Sequence, residues 1–338
     1  MGKVLFLLLL SVSLTSCLDE VSVPLRDTEP QLVVDGQITN ERGPYSVRLS
    51  FTGAFTSSAR FLEAKQAVNG ARVVLANDRG DSTLLRQIYL LQPGLYQTTD
   101  SLFRGQVGRS YTLRITLPDG RKYMSAPELL AAVPPIEQVT YEVQETDRYQ
   151  RPDGYLIKVD TKDPAGQTNY YRWTAYGYNG RFCPYPFQGL MTSWLYIDNK
   201  AINIRSDQFT DGSAIRDVPV IFSPMWTRLA HYIEVQQWSL TQSAFQYFRL
   251  YREQQERTGT IFDPLPAPIE GNVFSMADAS VRALGYFTAS SVSRRRLKIV
   301  PDEKFSEAYV RYRVEFVNGI YWQNLCEGTV REQPEGWD

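Results

Sequence analysis

The stretch QLVVDGQITNERGPYSVRLSFT, residues 31–52, decides the fold class of this chain. Two runs rich in β-branched and aromatic residues flank the polar turn ERGP, which is the pattern of paired strands. Similar runs recur at 71–78 (ARVVLAND) and 110–117 (SYTLRITL), each bounded by Gly, Pro, Asn or Asp. Short strands at this spacing, with no helical periodicity between them, predict an N-terminal β-sandwich over residues 30–133.

A second pattern within this region indicates the kind of sandwich. The run VNGARVVLANDRGD at 68–81, followed by PGLY at 93–96, resembles the transthyretin-like and carboxypeptidase-regulatory-like β-sandwiches of surface proteins. Such modules usually serve as spacers or docking platforms. The tripeptide RGD at 79–81 lies in a predicted tight hairpin, and we interpret it as a chance match to the integrin motif.

Two consecutive prolines predict a domain boundary. Pro134 and Pro135 remove two backbone donors and stiffen the chain, a common way to join sandwiches. Beyond them, GYLIKVDTKDP at 154–164 and TNYYRWTAYGY at 168–178 resemble the start of a fibronectin-III-like sheet. We therefore expect a C-terminal β-rich domain over 134–338, with insertions. The predicted fold class is mainly β, with two sandwich-like domains and one amphipathic helix.

That helix is predicted over residues 239–258, where apolar residues recur at helical spacing. Ser239 and Gln242 have the spacing of an N-terminal capping box, and Gly259 is a suitable residue for the C-terminal stop. The opposite face of the helix is charged. We expect the helix to cover a sheet edge or face, the alternative being a helix that binds a partner.

The N-terminal residues predict an export signal. A basic residue precedes an apolar run that is too short to span a membrane, and the run ends in LTSC at 14–17, which is a bacterial lipobox. We expect a signal peptide at 1–16, a lipid on Cys17 and a lipidated tether over 17–29. The alternative for Cys17 is an ordinary buried cysteine.

Two acidic residues, Asp19 and Glu20, follow the lipobox closely. Acidic residues at this place resemble the lipoprotein export signal of Bacteroidota, which directs lipoproteins to the outer face of the outer membrane. The expected location is therefore the outer membrane, lipid-anchored and at the cell surface. Solvated linker charges are the alternative interpretation of the two acids.

Charge and aromatic content narrow the class of partner. Without residues 1–16 the chain has 35 basic and 37 acidic residues and no basic block, so no electrostatic footprint for nucleic acid is expected. The chain also contains 21 Tyr, 16 Phe and 6 Trp. This abundance of aromatic residues is typical of β-sheets and of extracellular binding faces.

The most specific pattern in the chain lies around and after the predicted helix. The runs that carry it are EPQLVVDGQITNERGPYSVRLS (29–50), SLT (239–241), GTIFD (259–263), PIEGN (268–272), LGYF (284–287) and AS (289–290). Together they resemble domain of unknown function 4249, a family of Bacteroidota lipoproteins. Because family members are commonly encoded beside TonB-dependent receptors, the resemblance implies a receptor-associated surface lipoprotein. It brings no catalytic residues with it.

These runs also predict local structure. The pair Gly271-Asn272 predicts a turn or a backbone position with positive φ. Residues 284–288 predict a buried central strand in which Gly285 allows a close backbone approach. The basic run at 294–296 predicts a charge cluster at a hairpin or strand end, with contact to lipid headgroups as the alternative.

Few residues suit catalysis or metal binding. His231 is the sole histidine, and we expect it to be structural rather than a general base. One histidine and three cysteines, one of them lipidated, supply too few ligands for a zinc site, and no cofactor or metal is expected. A pair of carboxylates could still serve a glycosidase, for which Glu234, Asp263 and Glu270 are the candidates.

Cys183 and Cys326 remain once Cys17 carries the lipid. Secretion favours disulfides, so we expect these two to be bonded to each other. Closing the long loop between them would contribute about 4–5 kcal/mol in the chain-entropy description. Two unpaired buried cysteines are the alternative.

Two classes of function follow from these features. The preferred class is a non-enzymatic surface lipoprotein, accessory to a TonB-dependent receptor in ligand capture or docking. The alternative is a secreted carboxylate-dependent hydrolase acting on glycan or peptide. A cleft with two convergent acids would favour the hydrolase, and an exposed aromatic face would favour docking.

Overall fold

The architecture comes from a computed structural model, which describes residues 29–53, 66–88, 92–145, 153–185, 189–199, 201–225, 229–256, 269–301, 329–330 and 337. The first part of the chain forms β1 (Leu32–Thr39), β2 (Ser46–Phe51), β3 (Arg72–Asn77), β4 (Ser82–Gln87), β5 (Leu95–Thr98), β6 (Ser110–Thr116), β7 (Lys122–Ser125) and β8 (Glu128–Leu129).

The remainder is also dominated by strands, so the predicted mainly β fold class is confirmed. Its elements are β9 (Ile136–Gln144), β10 (Gly154–Lys162), β11 (Tyr170–Tyr185), β12 (Gly189–Asp198), β13 (Asn203–Ser206), β14 (Ala214–Pro224), β15 (His231–Leu240), α1 (Gln242–Gln255), β16 (Glu270–Ser275), β17 (Arg282–Ser290), β18 (Val292–Ile299) and β19 (Thr329–Val330). Among the described residues, no helix has the length and apolar character needed to cross a bilayer.

The first sheet closes on itself as a barrel. Its strands follow the order β3-β4-β5-β2-β1-β17-β16-β7-β6, and β6 pairs with β3 to complete the ring, while β8 pairs with β6. Alternate residues point inward, as the burial of Leu32, Val34 and Ile38 along β1 shows. They join Leu113 and Phe287 in one apolar core. Among the described strands, the β3–β6 pairing closes the ring, so neither of these two strands is left as a free edge.

Strands from the C-terminal part of the chain close this barrel, so the sheet does not follow the predicted boundary at residue 134. β16 and β17 lie between β1 and β7, and β17 runs parallel to β1 with Val33 opposite Leu284 and Thr39 opposite Ser290. Residues 30–133 therefore do not form the N-terminal sheet alone. The two prolines mark where the chain leaves the barrel, but it returns after α1.

Gly285 permits this parallel pairing. Its φ is +81°, and a Cβ built on it would lie 2.1 Å from the carbonyl oxygen of Val34. Only glycine fits such a position, so the predicted close approach in a central strand is confirmed. The turn predicted at Gly271-Asn272 is wrong, because both residues lie in β16, where Gly271 instead packs against the backbone of Gly285.

The second unit consists of two sheets that share a core. One sheet has the order β14-β10-β9, and the other has the order β18-β15-β11-β12-β19, with β13 also paired to β11. Tyr155 and Ile157 of the smaller sheet pack with Tyr171, Trp173 and Val235 of the larger one. The strands predicted at 154–164 and 168–178 are confirmed as β10 and β11. Their likeness to fibronectin III stays a prediction.

The helix α1 is shorter than predicted, and its cap is a different residue. Thr241 is the N-cap, with its Oγ1 accepting a hydrogen bond from the backbone N–H of Ala244. Ser239 belongs to β15, and its hydroxyl donates to the carbonyl of Ala131, so the predicted capping box is wrong. The C-cap is Glu256, and the predicted stop at Gly259 lies outside the described residues.

The apolar side of α1 covers strands, as expected. Tyr247 packs on Tyr286 of β17 with ring centroids 4.8 Å apart, and Phe245 packs on Tyr170 of β11 at 5.0 Å. The helix therefore bridges the barrel and the second unit. Since both contacts are with its own chain, the prediction of a helix that covers a sheet is confirmed.

Candidate functional site

Glu128 places a carboxyl group in the interior where four elements meet. The residue lies in β8 and is 2% exposed. Its Oε2 accepts a hydrogen bond from Thr241 Oγ1 (2.7 Å), and its Oε1 accepts from Tyr286 OH (2.7 Å) and Asn272 Nδ2 (3.0 Å). These donors are all neutral. Burial raises the pKa of Glu128 above its ordinary value, and the hydrogen bonds from these neutral donors offset only part of that rise.

The three donors around Glu128 all belong to the runs that carried the family resemblance. Asn272 additionally links β16 to β17, since its Nδ2 donates to the carbonyl of Phe287 and its Oδ1 accepts from the N–H of Phe287. Thr241 begins α1. These three donors therefore share one role, which is to satisfy a buried carboxyl group. Sequence reasoning missed Glu128 because no local pattern distinguishes it.

A second polar cluster holds the crossing from the barrel to the second unit. Ser291 is the one residue between β17 and β18. Its N–H donates to Ser239 Oγ (2.9 Å), and its own hydroxyl donates to the carbonyl of Ala131 (2.6 Å). The Ser239 hydroxyl donates to the same carbonyl (2.8 Å). The crossing is therefore fixed by side-chain hydrogen bonds rather than left as a flexible linker.

Glu234 is the centre of an ion-pair cluster at the surface of the six-stranded sheet. Its carboxylate is 3% exposed and accepts from Arg294 Nη1 (2.6 Å) and Arg296 Nε (2.8 Å). Arg294 also donates to both carboxylate oxygens of Glu41 in the β1–β2 connection, at 2.7 and 2.6 Å. The Glu234 cluster, defined by these four residues, ties β15 and β18 to the barrel.

The cluster accounts for the basic run at 294–296. Arg295 donates to the carbonyls of Ile136 and Glu137. All three arginines thus bond to groups of their own chain. They lie within β18 rather than at a hairpin, so that part of the prediction is wrong. Contact with lipid headgroups would require these bonds to be exchanged.

The candidate catalytic acids are not brought together in the described part of the chain. Glu234 lies in the six-stranded sheet, whereas Glu270 lies in β16 of the barrel and pairs with Arg282 at 3.4 Å. Asp263 lies outside the described residues. In Glu234, burial opposes ionisation, but hydrogen bonds from Gln236 and the two arginines outweigh it and lower the pKa. Such a carboxylate is a poor proton donor.

His231 has a structural environment. It is 2% exposed in β15, and burial lowers its pKa to about 3. Its Nδ1 lies 2.7 Å from Ser223 Oγ, and the Ser223 hydroxyl donates to Asn179 Oδ1. The ring also contacts Tyr155 edge-on, with centroids 5.0 Å apart. A neutral imidazole that donates from Nδ1 satisfies this chain of hydrogen bonds.

Three other acids do converge, and the sequence did not predict them. One carboxylate oxygen from each of Asp163, Asp207 and Asp211 lies within 4.8 Å of the others, an arrangement that could hold a hard cation. Asp163 and Asp207 are buried and already accept hydrogen bonds, from Tyr171 OH (2.5 Å) and the N–H of Asn169 (2.8 Å) respectively. Burial raises the pKa of Asp207, and the neighbouring Asp163 carboxyl raises it further.

Aromatic side chains occupy the outer side of the six-stranded sheet. Tyr176 and Tyr196 lie nearly parallel with centroids 6.1 Å apart, and Tyr178 meets Tyr196 edge-on at 5.6 Å. Tyr196 is 49% exposed. We call these three residues the tyrosine face. Tyr176 also lies opposite Glu234 in the sheet, so the face adjoins the Glu234 cluster.

On the other side of the Glu234 cluster, an open groove of about 600 Å³ lies against the outside of the barrel. Charged and amide side chains dominate it, with few apolar groups. The residues that line it are Asp35, Gly36, Gln37, Thr39, Glu41, Arg42, Pro44, Tyr45, Ser46, Arg48, Gln92, Leu95, Gln97 and Arg294. We call this feature the polar groove.

The predicted modification sites lie mostly outside the described residues. Cys17, Asp19, Glu20 and Cys326 are all in this group. Cys183 is buried in β11, and its Sγ lies 3.9 Å from Thr329 Oγ1. Because Thr329 is three residues beyond Cys326, this contact brings the C-terminal part of the chain close to Cys183.

The described residues form a mainly β protein in which a barrel and a two-sheet unit are joined through buried polar clusters. The chain belongs to the family described as Domain of unknown function (DUF4249), which matches residues 19–296. A comparison with curated proteins finds no match. The match confirms the family resemblance.

Proposed function

We propose that this protein is a non-enzymatic lipoprotein of the outer membrane that assists a TonB-dependent receptor in ligand capture or docking. The observation that carries the proposal is the tyrosine face, where Tyr196 is half exposed beside Tyr176 and Tyr178. Tyrosine offers large, rigid contact area at low entropic cost, so a few such residues can dominate an interface.

The anchor in this proposal is a lipid on Cys17, supported by the LTSC lipobox that precedes it. Acyl chains add about 0.8 kcal/mol of membrane affinity for each buried methylene. Asp19 and Glu20 supply the signal for surface display. Anchoring would confine the tyrosine face to the membrane surface, where an outer-membrane receptor is also confined.

The hydrolase alternative has less support. Of its three candidate acids, Glu234 is held by two arginines and Glu270 lies in a different sheet. The buried pair Asp163 and Asp207 converges, but its oxygens are engaged by hydrogen bonds from their own chain. We therefore keep hydrolysis as an outcome of the experiment rather than a second proposal.

We expect the lipidated protein, purified from gently solubilised outer membrane of its native host, to co-isolate a large β-barrel receptor. Changing Tyr178 and Tyr196 together to Ser should lower receptor recovery at least tenfold, because truncating aromatic contacts at an interface commonly costs 2 kcal/mol or more. Quantitative mass spectrometry of the purified complex measures the recovery.

The matched control is Phe209→Ser, since Phe209 is 92% exposed but lies away from the tyrosine face, in the connection between β13 and β14. It should leave recovery unchanged, and Cys17→Ala should abolish membrane association. The proposal fails if no receptor is recovered with the lipidated wild type. Hydrolysis of a glycan or peptide by the purified wild-type protein would support the enzyme instead.

We further propose the Cys183–Cys326 disulfide, supported by the burial of Cys183 and by its contact with Thr329. Peptide mapping of the mature protein without reductant should recover the two cysteine peptides joined. Full alkylation of both thiols under the same conditions would exclude the bond.

A further inference from the structure

The polar groove is a surface separate from the tyrosine face, and its chemistry points to a ligand of its own. Its floor is the outward side of β1, β2 and β5, and its rim is the β1–β2 connection together with Arg294. All of the residues that line it belong to the part of the chain that the structure describes. The groove is open to solvent and extends across the three neighbouring strands β5, β2 and β1.

Two opposite charges stand side by side on the floor. Asp35 and Arg48 are direct cross-strand partners in β1 and β2, and both are exposed. Arg48 Nη2 donates to Gln92 Oε1 at 2.8 Å. Asp35 accepts no hydrogen bond from the described residues, although Arg172 and Tyr247 lie close enough to interact with its charge. The floor therefore offers a carboxylate acceptor next to guanidinium donors.

Amide and hydroxyl groups surround this pair. Gln37 and Thr39 follow Asp35 along the same face of β1. Across the sheet, Gln97 and Ser46 also line the groove, and Gln97 Nε2 donates to Ser46 Oγ at 3.0 Å. Carboxylate, guanidinium and amide groups are planar and can each bond two neighbouring hydroxyls, so their combination suits a ligand with many hydroxyl groups.

The apolar part of the lining is too small to recognise a peptide by its side chains. It consists of Pro44, Leu95 and the ring of Tyr45. Tyr45 is 4% exposed, and its hydroxyl donates to the carbonyl of Glu41 (2.5 Å) and accepts from the N–H of Gly105 (3.0 Å). A peptide that binds as an added strand is selected by pockets for its alternate side chains, and the apolar lining of this groove is limited to these three residues.

We propose that the polar groove binds an oligosaccharide, with Asp35 accepting and Arg48 donating hydrogen bonds to its ring hydroxyls. The inference goes beyond the proposed docking role, because it concerns a different surface and a small ligand. Arg294 lines the groove and also belongs to the Glu234 cluster, which adjoins the tyrosine face. A bound saccharide would therefore lie next to the surface proposed to meet the receptor.

The test is binding of the purified mature protein to a printed array of bacterial, plant and mucin oligosaccharides, followed by titration calorimetry with the strongest binder. Asp35→Ala and Arg48→Ala should each weaken binding about tenfold, the effect of losing one or two charge-assisted hydrogen bonds. The matched controls are Asp119→Ala and Arg121→Ala, an exposed ion pair in the β6–β7 hairpin with an N–O distance of 2.7 Å. They should bind as the wild type does.

Three results would overturn the proposal. These are the absence of binding across the array, binding that survives both groove changes, and preferential binding of tri-alanine, tri-lysine or tri-glutamate peptides. Receptor recovery with the Asp35 and Arg48 variants separates this inference from the docking proposal. Recovery should stay at the wild-type level even where saccharide binding is lost.

Discussion

Replacing Glu128 by Ala is expected to lower the free energy of unfolding by about 3–5 kcal/mol. The change removes the acceptor of the buried donors of Asn272 and Tyr286 and of the partly buried hydroxyl of Thr241. An unsatisfied buried donor costs about 1–3 kcal/mol, and the lost packing adds to that cost. Because the donors come from three elements, α1, β16 and β17 should loosen together. Denaturant titration followed by circular dichroism measures the loss.

The Glu128→Gln variant distinguishes a need for charge from a need for hydrogen-bond acceptors. Its amide oxygen can accept from Asn272 and Tyr286, and the Thr241 hydroxyl can rotate to accept from the amide nitrogen. We expect it to lose about 1 kcal/mol or less at neutral pH. If Glu128→Ala proves as stable as the wild type, the buried carboxyl does not hold the elements together.

The pH dependence follows from the raised pKa of Glu128. The folded protein binds this proton more tightly than the unfolded chain, whose carboxyl has the ordinary pKa of 4.5. The stabilisation is therefore complete below pH 4.5 and is lost as the pH rises through the folded pKa. The Gln variant should lack this contribution, so the difference between the two proteins should change across that range.

The second large effect is expected for Glu234→Gln, with a loss of about 2–3 kcal/mol at neutral pH. Removing one partner of a buried ion pair commonly costs 3–5 kcal/mol. Here the two arginines are 34% and 47% exposed, so water compensates part of the loss. Arg294 also keeps Glu41 as a partner. Thermal and denaturant unfolding of the variant measure the change.

This carboxylate should respond to pH in the sense opposite to Glu128. Its folded pKa is lowered, so its stabilisation is present above the ordinary value of 4.5 and is lost as the pH falls through the folded pKa. Glu253→Gln is the matched control, since Glu253 pairs with Arg249 on the exposed side of α1. That change should stay within about 0.5 kcal/mol. Equal losses in the two variants would contradict the role assigned to the Glu234 cluster.

The sequence predicted the local features of this fold well, because alternation and turn residues report on each strand separately. The hairpin around residues 79–81, the strands β10 and β11, and the close approach at Gly285 were all predictable in this way. Strand partners were not. The alternating pattern of β17 does not predict that its neighbour is β1, because pairing between distant segments depends on the packing of the whole core.

For the buried polar clusters too, the sequence pointed to individual residues but not to their partners. The sequence drew attention to Thr241, Asn272 and Tyr286, yet only the three-dimensional arrangement reveals that they bond to Glu128. The same limit applies to the capping box. Ser239 has the right spacing, but its hydroxyl bonds to Ala131, and Thr241 takes the cap. The spacing of residues along the chain predicts local geometry. It does not predict which groups from distant parts of the chain will bond to the same hydroxyl.

The parallel pairing of β1 with β17 also has a consequence for the timing of synthesis. Val33 pairs with Leu284, about 250 residues later, so the first strand emerges long before its neighbour exists. Until then β1 presents an open edge that invites wrong partners, and contacts of such long range form slowly. A nascent chain should therefore keep this edge of β1 unpaired until residues 282–290 have been made. The barrel can close only after β17 has been made.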